Sequence, residues 1–215
     1  MCVWSHSQDP AHTIGRIRLL AFSDLHCDLR QAERLVEASA GADAVLAVGD
    51  LASVHSGLED MVDALRGIEC PVVMVPGNNE TDDALREACD RWDRATVLHG
   101  EGTEVAGVTI FGLGGGIPVT PWDWSFDLDE KAAANLLEGL PGNAVLAVHS
   151  PPYGHVDESR GRSLGSRAVL EAIEARQPPL ALCGHIHESW GSESRVGETR
   201  VVNLGPEGRT FELQA

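Results

Sequence analysis

Five short apolar runs, each the length of a strand, end in side chains that carry nitrogen or oxygen donors. Arg18-Leu19-Leu20-Ala21-Phe22 runs into Ser23-Asp24-Leu25-His26, and Val45-Leu46-Ala47-Val48 runs into Gly49-Asp50. Val72-Val73-Met74-Val75-Pro76 leads to Gly77-Asn78-Asn79-Glu80. Val145-Leu146-Ala147-Val148 leads to His149, and Leu180-Ala181-Leu182-Cys183 leads through Gly184 to His185 and His187. A buried strand that ends in a polar side chain presents it at the carboxyl edge of its sheet, where open α/β sheets gather ligands. Asp24, His26, Asp50, Asn78, His149, His185 and His187 should therefore share one rim. Donors of that kind and number suit a pair of divalent transition metals with one carboxylate shared between them. Taken singly, Asp24, Asp50 and Asn78 are also what turns and helix caps use after a strand. It is the set that points to a metal centre.

The segments between the runs carry helical periodicity. Leu29 to Ser39, Leu58 to Arg66 and Asp82 to Trp92 each place apolar residues at three- and four-residue spacing, for instance Leu58, Met61, Val62 and Leu65. Strand, helix, strand in alternation predicts parallel strands joined by right-handed crossovers. The rhythm then changes. Thr96-Val97-Leu98, Glu104-Val105 and Val108-Thr109-Ile110-Phe111 are short strands separated by glycine, which predicts a meander. Gly112-Leu113-Gly114-Gly115-Gly116 lacks the Lys and Ser/Thr of a phosphate-cradling loop and reads as permissive backbone at the rim. Helices are expected at about Glu130–Leu137 and Ser166–Ala175. Tyr153 to Leu164 reads as a mobile surface loop, and three strands from Ser189 to Leu213 read as a second meander. The sum is an α/β fold, a four-layer αββα sandwich of two mixed sheets flanked by helices. Residues 1–15 read as a flexible leader and 16–215 as a single domain.

Sixteen basic against thirty-three acidic residues give a net charge of −17, which argues against nonspecific binding to nucleic acid or anionic membranes. A metal pair would reverse the sign locally, so an anionic substrate stays open. No apolar run reaches the length of a membrane span, and the first fifteen residues lack the apolar core of a signal peptide. Cys2, Cys27, Cys70, Cys89 and Cys183 have no disulfide-framework spacing, which favours a reducing compartment and a cytoplasmic protein.

The blocks DxH, GD, GN, H and GHxH, in this order from Asp24 to His187, resemble those of the calcineurin-like metallophosphoesterase superfamily. The resemblance implies the same αββα fold. It also implies a first metal held by Asp24, His26, Asp50 and His187, and a second held by Asp50, Asn78, His149 and His185, with Asp50 bridging. The implied reaction is hydrolysis of a phosphate ester by attack of a metal-bridging hydroxide, with Asp50, His149 and Asn79 at catalytic positions. One position departs from the pattern. Many members follow GN with a histidine thought to protonate the leaving oxygen, a role worth about 10²- to 10⁴-fold, and here that place is Asn79. Three readings stand: Asn79 positions a phosphate oxygen while metal or water assists the leaving group; His55 or His155 substitutes; or activity has decayed and a binding protein remains.

The second half carries a narrower resemblance. The stretch from His149 to Asp157 (HSPPYGHVD), Gly165-Ser166 before a helix, Gln177-Pro178-Pro179-Leu180, the stretch from Gly184 to Gly191, Asn203 and the tryptophan-rich Pro121 to Phe126 are similar to the small metallophosphoesterase-domain branch that includes cyclic-nucleotide-type phosphodiesterases. That likeness implies small phosphodiesters, cyclic nucleotides among them, and manganese as the metal, with iron or zinc as alternatives. Trp122, Trp124 and Phe126 could stack a flat group, or simply pack as core or lid. Ser166, Arg160 and Arg162 could touch a substrate phosphate, though the two arginines also fit a solvated loop. The competing functions are a phosphomonoesterase or protein phosphatase, and a non-catalytic scaffold of the same fold.

Overall fold

Every residue of β2 (Ala44–Val48) is buried, and the alternation of its side chains builds two cores at once. Ala44, Leu46 and Val48 enter one cluster while Val45 and Ala47 enter another. A strand covered on both faces reads as a continuous apolar run, which is why AVLAV shows no polar alternation. The computed structural model describes residues 15–214, so the expected leader lies, apart from Gly15, outside the described residues.

The first sheet runs in the order β13-β1-β2-β3-β4. Here β1 (Arg16–Phe22), β2, β3 (Val72–Val75) and β4 (Ala95–Val97) are parallel, and β13 (Arg209–Gln214) is antiparallel to β1. Helices α1 (Leu29–Ala38), α2 (Leu58–Leu65) and α3 (Asp82–Cys89) cover its outer face. Asp28 and Thr81 start α1 and α3 by accepting the N–H groups of Gln31 and Ala84, satisfying donors that a first helical turn leaves unpaired.

The second sheet runs in the order β11-β12-β10-β7-β6-β5. It consists of β5 (Glu101–Val105), β6 (Val108–Leu113), β7 (Val145–Val148), β10 (Leu180–Cys183), β11 (Glu193–Val196) and β12 (Thr199–Asn203). Its outer face packs on α4 (Glu130–Leu137) and α5 (Arg167–Arg176). Between the sheets lies a third cluster to which β1, β2, β3, β7 and β10 all contribute. Helices, sheet, sheet, helices is the four-layer αββα sandwich expected from the sequence.

Three local expectations change. β4 is no part of a meander: it pairs parallel with β3 as one more crossover after α3, and only β5 and β6 form a hairpin. At the other end β11 and β12 pair as a hairpin, but β13 crosses back to the first sheet, where Phe211 fills the space between the sheets. The stretch 153–164 is not featureless, because it holds a short hairpin of β8 (Glu158–Ser159) and β9 (Arg162–Ser163). Asp157 closes it by accepting the N–H groups of Gly154 and Gly165, each at 2.9 Å. Among the described residues no helix is long and apolar enough to cross a membrane.

Leu46 is fully buried in the cluster between the sheets. Leu46→Ala is expected to lower stability by about 2–5 kcal/mol, read as the shift in a urea unfolding curve. A loss well under 1 kcal/mol would mean that the sheets close over the gap.

Candidate metal centre

The register of the strands decides what meets at the rim. Phe22 pairs with Ala47 and Val48 with Val75, so the turns after β1, β2 and β3 leave the first sheet side by side. Leu182 pairs with Ala147, which does the same for the turns after β7 and β10 in the second sheet. Asp24, His26, Asp50 and His187 thereby bring ligand atoms within 4.8 Å of one another, and so do Asp50, His149 and His185. Asp50 belongs to both groups. Its Oδ2 lies 3.6 Å from His26 Nε2 and its Oδ1 lies 3.4 Å from His149 Nε2. Asn78 joins the second group with Oδ1 at 3.4 Å from His149 Nε2. All seven donors read from the sequence are in one place.

Bringing seven polar side chains together strains the backbone. Asp24, His26, Asp50 and His185 have φ of 57°, 43°, 55° and 68°, a left-handed conformation that residues with a side chain seldom adopt. Glycine is required where the turns touch. A Cβ at Gly77 would fall on Asp50 Oδ1, and one at Gly184 would fall on Asp24 Oδ2.

Most of these donors are then held by a neighbour. His149 Nδ1–H donates to the Val48 carbonyl at 2.9 Å, which aims Nε2 at Asp50 and Asn78. Asp24 accepts from the Ser23 hydroxyl, from the His185 N–H at 3.0 Å and from the Trp190 indole at 3.1 Å. The Trp190 ring also packs on His187, with centroids 4.3 Å apart. The Asn78 amide donates to Ser125 Oγ at 2.9 Å, and Ser125 donates to Asp127 at 2.7 Å, so Asn78 turns its carbonyl oxygen toward His149. Asn79 holds Asp50 twice, by its N–H at 2.9 Å and its side-chain amide at 2.8 Å, while its own Oδ1 accepts from the Val54 N–H. Glu80 accepts from the N–H groups of Gly77, Ala52 and Leu51 and so ties the turns after β2 and β3 together.

The electrostatics centre on Asp50. Burial alone would raise its carboxyl, but His149, His185 and His26 outweigh burial and hold it well below the usual carboxylate range. Burial works against a charged His149 as well, yet Asp50 pushes that imidazole up to about 9. His185 is driven down to about 4 by burial and by His149. Burial, with Asp50 adding to it, raises Glu80 to about 7. Two further observations fit a metal. His185 Nδ1 is buried with no hydrogen-bond partner, and the Nε2 atoms of His26 and His187 face each other at 3.0 Å. Orphaned and converging imidazole nitrogens beside buried carboxylates form a donor set suited to divalent ions.

Above this floor opens a cavity of about 620 Å³. Trp122 and Trp124 form part of its wall, stacked at 5.6 Å and 14°. Asn79 is at the floor. Ser166, expected at the substrate, is corrected: it is fully buried away from the cavity lining, caps α5 through Val169 and donates to Glu130. Its position before a helix was the signal for that cap. Phe126 packs against His99, and His155 faces Ser194. His55 lies close by, with its ring on the Trp124 carbonyl and its N–H on the Asn79 carbonyl, but it does not line the cavity. Arg160 and Arg162 are exposed outside the lining. The sequence reading assigned no role to Ser23, Glu80, Ser125, Asp127 or Trp190, whose partners are mostly far along the chain.

Comparison with known proteins agrees with the geometry. Residues 17–214 match the model of the calcineurin-like phosphoesterase superfamily domain. Human metallophosphoesterase domain-containing protein 1 is 32% identical over 137 residues, covering 60% of this chain and 38% of that protein. A UPF0046 protein of Caenorhabditis elegans is 31% identical over 120 residues, covering 55% of this chain and 40% of its own length. The chain thus spans about two fifths of the length of these relatives. Among solved structures, a Thermus thermophilus protein superposes with a TM-score of 0.74 at 19% identity, over 93% of this chain and 99% of that one. A phosphopantetheinyl hydrolase from Mycobacterium tuberculosis gives 0.60 at 16% identity, over 90% and 95%. A dimetal phosphatase from Danio rerio gives 0.58 at 12%, over 88% of each chain. At these identities the structural likeness establishes the fold.

The grip of Asn79 on Asp50 is measurable without metal. Asn79→Ala removes a donor to a buried carboxylate and the acceptor of the Val54 N–H, and should cost about 1–3 kcal/mol in urea unfolding with chelator present. An unchanged midpoint would mean that both groups find other partners.

Proposed function

The chain belongs to the calcineurin-like phosphoesterase superfamily, and on that premise we propose that it is a dinuclear metal-dependent phosphodiesterase acting on small phosphodiesters, cyclic nucleotides among the candidates. The observation that carries the proposal is the pair of donor groups sharing Asp50. In this reading Asp24, His26, Asp50 and His187 hold one ion, and Asp50, Asn78, His149 and His185 the other. When bound, two divalent ions supply an activated water and draw charge from the phosphoryl oxygens.

The protein's part is orientation. Asp50 offers one oxygen to each group, and Asn79 fixes the plane of that carboxylate. The Val48 carbonyl sets the tautomer of His149, and Ser125 sets the amide of Asn78. Asn79 is committed to Asp50 and Val54 and carries no acidic proton, so proton delivery to the leaving oxygen falls to solvent in this reading. Turnover should then be fastest with esters of acidic alcohols.

Charge favours the diester. Among the residues that line the cavity there is no Lys or Arg, so apart from the ions nothing compensates the second charge of a monoester. Mixed imidazole, carboxylate and amide donors suit manganese, with iron and zinc as the alternatives in the test. Cys27, Cys70, Cys89 and Cys183 are all free thiols, which supports the cytoplasm as its location. The net charge of −17 supports a small-molecule substrate rather than a nucleic-acid or membrane partner. A scaffold of the same fold would have no use for seven converging donors.

The test strips the metal and follows bis-p-nitrophenyl phosphate against p-nitrophenyl phosphate with manganese, zinc or iron restored. The expected result is turnover that returns with manganese and favours the diester, and that Asp50→Asn abolishes. A folded protein that cleaves neither ester with any divalent ion would leave the scaffold reading standing.

A further inference from the structure

We infer that the cavity selects esters bearing a single negative charge and a flat apolar arm, with the Trp122–Trp124 pair as the docking face for the arm and Glu188 as the group that turns away a second anion. The inference rests on the phosphoesterase reading above and names its substrate class.

Exposed apolar side chains gather here. The large hydrophobic residues left exposed among the described residues include Val119 at 61%, Trp122 at 51% and Leu164 at 45%, and these three all line the cavity. Apolar surface of this size on one concave wall marks a place where something apolar docks. Trp124 backs Trp122 in a near-parallel stack, which leaves one indole face open to extend that stack with another ring.

The wall is also held in place. Asp127 accepts from the N–H and hydroxyl of Thr120, both at 2.7 Å, and from the hydroxyl of Ser125. Ser125 in turn accepts from the amide of Asn78. The loop carrying the two tryptophans is therefore tied to Asn78 twice, by the Asn78 side-chain amide on Ser125 and by the Phe126 N–H on the Asn78 carbonyl at 3.0 Å. A phosphate on the ligands and a ring on the wall would be positioned by one rigid unit, which spares the cost of ordering a loose loop on binding.

At the rim the fixed charge is negative. Glu188 follows His187 directly, lines the cavity and is half exposed. Glu188 accepts the Arg160 N–H at 3.0 Å, and the Arg160 guanidinium lies 3.7 Å away, outside the lining and with 90% of its side chain in solvent, where screening leaves an ion pair little weight. A substrate arm with its own phosphate or carboxylate would meet Glu188 with no lysine or arginine in the lining to offset it. An uncharged planar ring, simple aryl or nucleobase, meets the tryptophans.

Three variants and two kinds of readout test this in the manganese-loaded protein, with circular dichroism to confirm folding. Trp122→Ala should raise KM for bis-p-nitrophenyl phosphate roughly 5- to 150-fold, the range of one lost ring-on-ring stack. In binding, methyl phenylphosphonate should quench tryptophan fluorescence and compete better than dimethyl phosphate, and the advantage should vanish in Trp122→Ala. Comparing methyl phenylphosphonate with 3′,5′-cyclic AMP separates simple aryl arms from nucleobases. Glu188→Gln should narrow the diester-over-monoester ratio of kcat/KM, and Glu188→Lys should narrow it further. Wild-type protein that turns over neither ester takes down the phosphoesterase reading and this one with it. Intact turnover with the aryl advantage and the charge ratio unchanged in all three variants overturns this inference alone.

Discussion

A buried carboxylate must keep its charge where little water reaches it, and Asp50 is the group around which the structure solves that problem. An unpaired ion in the interior is costly enough that proteins neutralise it or surround it with donors. Asp50 is 2% exposed. It receives two hydrogen bonds from Asn79 and faces His149 and His26 from opposite oxygens. Those same imidazoles, with Asp24, Asn78, His185 and His187, form the donor set, so the charge balance of the protein and its chemistry share one solution.

The fold exists to deliver those groups. Parallel strands with both faces covered end together, and their carboxyl ends open onto one rim between two sheets. The cost appears in the backbone. Asp24, His26, Asp50 and His185 sit in left-handed conformations of order 1–3 kcal/mol each, and the clusters above and below the sheets offset them. Of the eleven non-glycine residues with positive φ among the described residues, these four belong to the donor set, so part of the backbone strain falls where the donors converge.

Asn79 shows how a letter is reinterpreted by its surroundings. In sequence it is a missing acid, open to three readings. In the structure its amide nitrogen and oxygen are both occupied, one on Asp50 and one on the Val54 N–H. Its contacts are those of a residue that positions the shared carboxylate. The tryptophan loop is a second case. Trp122 and Trp124 can be read from the chain as core, lid or docking face, and the exposure of Trp122 together with the tie from Ser125 to Asn78 puts them on the wall of the cavity.

Strand period, helix period and the donors at strand ends are local properties, set by side-chain alternation and by a turn within a few residues. The sequence by itself therefore determined the βαβ half, the five helices close to their observed ends and the seven-residue donor set. Which sheet a short strand joins is decided by pairing across the chain. β4 and β13 both went to the first sheet because β3 and β1 offered open edges and Phe211 had a place between the sheets. Ser166 caps α5 locally, but it could be buried because Glu130, 36 residues away, arrived to accept its hydroxyl. Ser125 came to orient Asn78 across 47 residues. Such contacts carry no period and no motif, because they arise only when separate loops are folded onto the same rim, and only the tertiary structure could decide them.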